Sequence, residues 1–488
     1  MPTGAIAAFG ILSCAAYIPR WRLSGETIAA ATGWARGMGN PPKGQRSFAN
    51  WDEDSITMAV EAGSRAVKRI APDQRPGSVD SLLLASTTLP FADRSNAGLV
   101  LEALNLDAES SPSDLTGSRR AATSALLSLF HRGGGMHLLC ASDCVDTQPG
   151  SEAEGGTGHG AAALLLGRGK PVATLRASSS VHEDFVDQYR MFGQRFDYRL
   201  EPRWVRDAGL LQILESQVSR VLEAAGAEAK DIDWLLGADP GLNRAVATAC
   251  GLGRARTADE LFERIGSCGA AQPLVLLTLA LEQAEAGENI LLIGSGQGFD
   301  VLLLEVQGKP ERDRATLSDC LQDTRIEDNY TRYLGIRQLL QMDAGIRSER
   351  DNRTAMSAFY RRHRDLTGFN GGLCSNCGKL QFPRSRYCVH CQARGSQVAT
   401  PMAELDGEIN SFTEDWLAYA ARPPLMFGNV HFPRGANVMM EFSDFLPGEL
   451  KTGQKVKMSF RIKDFDPRRN FRRYFWKPTP MPGSSADG

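Results

Sequence analysis

The chain has 488 residues, of which 42% are hydrophobic and 23% charged, and Lys+Arg 55 against Asp+Glu 57 leave a formal charge of -2. The length predicts two or three globular domains, and the charge balance argues against a chain-wide polyanion-binding surface. No apolar run approaches the roughly 20 residues that cross a bilayer. The start, MPTGAIAAFGILSCAAYIPRW, lacks a basic stretch and a signal-type cleavage site, so a cytoplasmic protein is expected.

The first 300 residues carry an internal duplication. SVDSLLLASTT (78–88) matches DIDWLLGADPG (231–241): each is an acidic turn followed by an apolar run of buried-strand type. SALLSLFHRGGGMHLLCASD (124–143) matches LTLALEQAEAGENILLIGSG (277–296), each an apolar helix, a glycine-bearing turn and a second buried strand. Asp80 to His137 and Asp233 to Ile290 are both 57 residues apart. A shared offset across two helices and two strands predicts two copies of one β-α-β unit. The expected result is a layered α/β domain with two mainly parallel sheets, in halves of about 1–170 and 171–308.

On EDSITMAVEAG (53–63), IDWLL (232–236) and the glycine-rich IGSGQGFD (293–300), the stretch from about 5 to 308 resembles the thiolase superfamily, especially ketoacyl-ACP synthase III and hydroxymethylglutaryl-CoA synthase. The resemblance implies a five-layered α-β-α-β-α fold, a dimer or larger complex, and acyl thioesters of coenzyme A or acyl carrier protein as ligands. It also implies a cysteine nucleophile at the start of a buried helix, where backbone N–H groups and the helix dipole favour a thiolate. In this chain that segment is DLTGSRRAATSALLSL (114–129), and the position falls on Arg119, with no cysteine anywhere in 15–139. A guanidinium cannot attack a thioester. Ser118 and Thr116 are the nearby hydroxyls.

The other family positions are replaced too. The acid/base histidine motif falls on Ala238, Asp239, Pro240 and Gly241, and the Gly-Asn step on Gly266-Ser267. The acid/base glutamate falls on Thr87 and the second thiolase cysteine near Leu292. One reading is a degenerate subunit that pairs with an active thiolase-like protein. The other is different chemistry using Cys268, His159 and Asp239, each of which also reads as an ordinary core, loop or turn residue. Arg119 and Arg120 need a partner, with Asp114, Asp239 or an incoming anion as candidates; a plug in the old pocket and a ligand clamp are both open.

Residues 309–370 turn polar and charge-rich and read as a linker and helical arm. Then CSNCGKLQFPRSRYCVHC sets Cys374, Cys377, Cys388 and Cys391 as two CxxC knuckles ten residues apart. That spacing lets four thiolates converge on a tetrahedral Zn²⁺ with no open position, a structural site spanning about 371–395 of rubredoxin-like ribbon type. Two disulfides or free thiols are the alternative, which a reducing compartment disfavours. His390 reads as a bystander, and the six scattered cysteines as small buried residues.

From 396 to 488, ELDGEINSFTEDW, MFGNVHFPRGANVMMEFSDF and GQKVKMSFRIKDF alternate with period two between Gly, Pro and Asp turns, which suits a small closed barrel such as an OB-fold. Helical arm, four-cysteine ribbon and barrel in that order, over about 330–480, resemble the zinc-ribbon/OB-fold proteins that accompany thiolases and coenzyme A-dependent aldolases. The resemblance implies help with acyl-CoA binding beside a thiolase-like or aldolase partner. The tail mixes Arg468, Arg469, Arg472, Arg473 and Lys477 with Phe471, Tyr474, Phe475 and Trp476. It suits the phosphates and adenine of coenzyme A, a single-stranded nucleic acid, or a plain basic edge strand. The net charge favours the thioester ligand over nucleic acid. The expected protein is therefore a subunit for carbon–carbon bond formation or cleavage on acyl-CoA, with a self-sufficient condensing enzyme as the second reading.

Overall fold

The structure, a computed structural model, describes residues 8–34, 41–70, 79–201, 204–237, 239–311, 316–349 and 355–482. The chain divides into two compact units. One comprises Met1–Ala49, Asp54–Gly98 and Asp107–Tyr330; the other comprises Asn50–Glu53, Leu99–Leu106 and Thr331–Gly488.

The first unit is built on strands β1 (Phe9–Tyr17), β2 (Ser81–Ala85), β3 (Ser111–Leu115), β4 (His137–Cys144), β5 (His159–Arg168), β6 (Ala173–His182), β7 (Trp234–Leu236), β8 (Asn289–Ser295) and β9 (Gly298–Val306). Their order is β7-β8-β9-β6-β1-β5-β4-β2-β3. The half β1-β5-β4-β2-β3 joins the half β7-β8-β9-β6 at one residue pair, Ile11 with Ala173. The duplication is visible in the register: Ser81 lies opposite His137 in β2–β4, and Trp234 lies opposite Ile290 in β7–β8.

The helices give the layers. α1 (Ser55–Lys68) packs on β1, β4 and β5, and α3 (Leu211–Ala225) on β6 and β9. Between the two halves, α2 (Ala121–Arg132) and α5 (Gln272–Gln283) pack on each other and on strands of both. That stack is α-β-α-β-α. α5, QPLVLLTLALEQ, is apolar on nearly every face because it is buried on nearly every face. α1 starts at Asp54, whose carboxylate takes the N–H groups of Ile56 and Thr57 in a capping box.

Two expectations need correction. The half-sheets are mixed, not mainly parallel: β2–β3, β2–β4 and β7–β8 are parallel, and the remaining pairings antiparallel. β8 runs into β9 through Gly296 and Gln297, and a connection that short permits only antiparallel pairing. The segment read as linker is also partly structured. Thr316 caps the helix Leu317–Gln322, and Arg325–Glu327 pairs in parallel with Trp21–Ser24. Leu317 and Leu321 supply the buried face that the surrounding charges hid.

In the second unit, strands Asn370–Cys374, Leu380–Gln381 and Gln397–Pro401 form a small sheet carrying the cysteine knuckles. β10 (Gly407–Asp415), β11 (Leu425–His431), β12 (Asn437–Glu441), β13 (Lys455–Asp466) and β14 (Phe471–Pro480) follow in the order β12-β11-β10-β13-β14. The two ends approach each other, and Ser443 N–H donates to the Pro478 carbonyl at 3.0 Å. This order and closure are consistent with an OB-type module. Its core includes Phe460, with Tyr474 stacked on it at 5.6 Å and Trp476 edge-on to it at 5.4 Å.

Buried charges also hold this unit. Lys477 Nζ meets Asp52 at 3.0 Å and Glu441 at 3.4 Å, and Arg461 meets Glu53 at 3.2 Å and Asp444 at 3.1 Å. Asp52 also accepts from Ser443 Oγ at 2.9 Å.

Candidate functional site

In the first unit, the amino end of α2, the residues after β2 and β4, and the start of β9 come together. Arg120 is the N-cap residue of α2, without a side-chain cap bond. Arg119 precedes it, and its guanidinium donates to Asp197 Oδ2 at 2.7 Å. Arg190 donates to the other oxygen of Asp197 at 3.0 Å and also to the Thr87 carbonyl. Asp197 and Arg190 come from the segment of the two short strands Gln188–Tyr189 and Tyr198–Arg199. Arg199 contributes a third guanidinium, 3.1 Å from Thr157 Oγ1; burial, then the neighbouring Arg119, lowers its pKa to about 10.

Arg120 has different partners. It donates to the Val181 carbonyl at 2.7 Å and lies 3.6 Å from Asp300. Asp300 also accepts from Thr123, Ser124 and Ser180 at 2.6 to 2.9 Å. Neither candidate partner of the arginines serves that role. Asp114 accepts from the N–H groups of Asn96 and Ala97, and Asp239 accepts from Leu242 N–H as the N-cap of α4 (Pro240–Ala249).

Thr87, where the resemblance implies the acid/base glutamate, donates from both its N–H and its hydroxyl to Asp143, at 2.7 and 2.9 Å. Ser86, Thr88 and the Ala270 N–H also donate to this fully buried carboxylate. Asp143 is thus saturated by donors and is not a free base. Ser267 sits in a backbone bridge: its N–H donates to Gly156 and its carbonyl accepts from Gly158. Leu292 is buried within β8. Ala238 lies outside the described residues.

The fallback residues are committed elsewhere. Cys268 is fully buried, and burial pushes its thiol up to about 12. His159 is buried; Nδ1 accepts from the Ala49 N–H at 2.9 Å, which leaves Nε2 to donate to the Val145 carbonyl at 3.2 Å. Asp239 holds a helix end. The three are not gathered into a nucleophile–base pair by any of these bonds.

In the second unit, the sulfurs of Cys374, Cys377, Cys388 and Cys391 lie within 4.8 Å of one another. Cys374 to Cys391 is 3.6 Å and Cys377 to Cys388 is 3.7 Å. A disulfide needs about 2.05 Å. Four Zn–S bonds of about 2.3 Å in a tetrahedron put sulfurs about 3.8 Å apart, so this donor set fits zinc.

The basic tail is more divided than its sequence. Trp476 is buried, with its indole N–H on the Thr367 carbonyl at 2.7 Å, so it packs the core and offers no stacking face to a ligand. Arg469 closes the β13–β14 turn on Asp466 at 2.9 Å, and Arg468 stands exposed in that turn. Arg472 is half-buried. Arg473, paired with Asp464, lines a cleft together with Arg361, Arg362, Arg384 and Arg386. Those four were not singled out from sequence. The clusters YRRHRD (360–365) and PRSR (383–386) on either side of the first knuckle were the available signal.

The family model for the 3-oxoacyl-[acyl-carrier-protein] synthase III C terminal matches residues 222–304. The hydroxymethylglutaryl-CoA synthase of Methanopyrus kandleri is 27% identical over 347 residues, covering 68% of this chain and 98% of that protein. The chain contains a thiolase-superfamily domain of the ketoacyl-ACP synthase III and hydroxymethylglutaryl-CoA synthase type. The fold likeness extends to 3-oxoacyl-(acyl carrier protein) synthase III from Pseudomonas aeruginosa PAO1, with TM-score 0.54 and 22% identity over 62% of this chain and 99% of that one. A hydroxymethylglutaryl-CoA synthase complexed with CoA gives TM-score 0.57 and 17% identity over 71% and 95%. The thiolase-type domain is thus homologous to acyl-CoA condensing enzymes.

Proposed function

We propose that this chain is the non-acylating subunit of an acyl-CoA-processing complex, in which a separate thiolase or aldolase supplies the nucleophile. Its thiolase-type domain shapes the complex, and its ribbon and barrel assist acyl-CoA binding. The single observation that carries this reading is the Arg119–Asp197–Arg190 cluster at the amino end of α2. A carboxylate held by two guanidinium groups beside the helix start that the resemblance implies for the nucleophile supports it, because a guanidinium cannot do the work of an attacking sulfur. The burial of Cys268 and the bonding of His159 support it further, because neither leaves a reactive group for a self-sufficient enzyme. The four cysteines would hold a structural zinc ion, with the sulfurs as the whole ligand set.

The test is acylation. Purified chain incubated with acetyl-CoA and longer acyl-CoA thioesters, then analysed as intact protein by mass spectrometry, should carry no covalent acyl group. A thiolase-like protein that co-purifies with it should become acylated in the same mixture. An adduct on this chain alone, lost in Cys268→Ala or His159→Ala, overturns the proposal in favour of a self-sufficient condensing enzyme.

A further inference from the structure

The second unit contains a broad, open cleft of about 1100 Å³ between the arm helices, the ribbon and the barrel. Its charge is lopsided. Arg361 and Arg362 come from the end of the helix Met356–Tyr360, Arg384 and Arg386 from the loop between the cysteine knuckles, and Arg473 from β14, against Asp365 alone in the lining. Arg384 pairs with Asp365 at 3.1 Å, and Arg473 with Asp464 outside the lining. Arg361 and Arg386 have no side-chain hydrogen bond or ion pair among the described residues. Both are exposed, so neither is held there by burial. Arginines from three separate segments that converge without matching carboxylates repel one another, and an anion relieves that repulsion.

A second observation points the same way. Gln397 lines the cleft, and both polar atoms of its amide are buried without a hydrogen-bond partner among the described residues. Buried amides are normally satisfied, and turning this one into the cleft toward a bound group would supply its partner. Phe359, Leu366, Ala355 and Ala358 add an apolar wall beside the arginines. Guanidinium forks match phosphate oxygens two at a time. An apolar wall next to them suits the flat face of a base. The volume exceeds that of ordinary small-ligand pockets, which run to about 1,000 Å³, so it admits a large ligand.

We infer that this cleft binds the phosphates and base of a nucleotide, with the nucleotide end of coenzyme A as its first occupant. The inference deepens the acyl-CoA reading above and rests on it for the choice of coenzyme A. It moves the binding function away from the β13–β14 turn and Trp476, onto residues flanking the cysteine knuckles. A free adenine nucleotide offers the same chemistry.

Calorimetric titration of the full zinc-loaded chain with coenzyme A, dephospho-coenzyme A, ATP and pantetheine tests it. The expected result is binding of the phosphate-bearing compounds, weakened by added salt, and none of pantetheine. The double variant Arg361→Ala/Arg386→Ala should weaken binding at least about tenfold, with melting temperature and zinc content unchanged. Tighter binding of coenzyme A than of ATP and dephospho-coenzyme A assigns the site to coenzyme A. The reverse order assigns it to a free nucleotide. Wild-type affinity in the double variant would overturn the cleft assignment while leaving the acyl-CoA reading intact. Binding of no nucleotide at all, or a single-stranded oligonucleotide outcompeting coenzyme A through the same two arginines, would also overturn it. The acyl-adduct measurement judges the proposed function separately.

Discussion

Lys477 shows how much one side chain carries. Its ammonium is 1% exposed and lies between Asp52 and Glu441, 4.1 Å from the centre of the Trp51 ring. Read along the chain it counts among the basic tail residues open to a ligand, but its position on β14 turns it inward. Removing one member of a buried pair leaves the other charge uncompensated, which costs about 3–5 kcal/mol. Lys477→Met should therefore destabilise the second unit by roughly that amount, read as a lowered urea midpoint in the Trp fluorescence of the full chain. Arg468→Ala, in the exposed turn, should leave the midpoint where it was. A pair of equal midpoints would show that the ion pair contributes nothing. Arg119 teaches a related lesson. Its place at the start of α2 could be read along the chain, whereas Asp197, its partner 78 residues later, could not.

Among the elements, the ribbon is the one whose stability a metal ion would govern. The strands Leu380–Gln381 and Gln397–Pro401 flank Asn370–Cys374 through only a few pairings, and the two sulfur pairs at 3.6 and 3.7 Å are too far apart to be disulfides, so a shared ion would be what cross-links the knuckles. In such sites metal binding is folding free energy. Chelation should raise amide hydrogen exchange over 370–401 first, while the strands of the nine-stranded sheet keep their protection. Metal analysis of unchelated protein should give about one zinc per chain. Uniform exchange across both regions after chelation would remove the case for a structural metal. The knuckles were legible because CxxC spacing is a local property. The short strand Arg325–Glu327 was not, because its partner Trp21–Ser24 lies 300 residues away and its own composition is polar.

At the scale of the molecule, the second unit is assembled from three pieces of chain. Asn50–Glu53 and Leu99–Leu106 belong to it along with Thr331–Gly488. Within it, Asp52 and Glu53 neutralise Lys477 and Arg461, Glu102 pairs with His363, and Asn105 donates to the Gly368 carbonyl at 2.7 Å. A fragment of residues 331–488 keeps the two buried cations and loses these two carboxylates. It should unfold at a lower denaturant concentration than the same region in the full chain, or fail to accumulate in soluble form, whereas the full chain should be well behaved. Equal stability would mean that the N-terminal segments are incidental to this unit.

The amino-acid sequence by itself determined what repeats and what is local. The β-α-β duplication, the buried strands and the four-cysteine spacing all follow from hydrophobic period and short-range geometry, which any reading along the chain detects. The arginine pair Arg119 and Arg120, in a stretch without cysteine from 15 to 139, is likewise a local property of the chain. Only the tertiary structure decided which charges are spent and which are free. It set Arg119 on Asp197, Lys477 on Asp52 and Trp476 in the core, and it left Arg361 and Arg386 facing an open cleft. The physical reason is that the fate of a charge depends on the dielectric and the counter-charges around it, and folding brings those from hundreds of residues away.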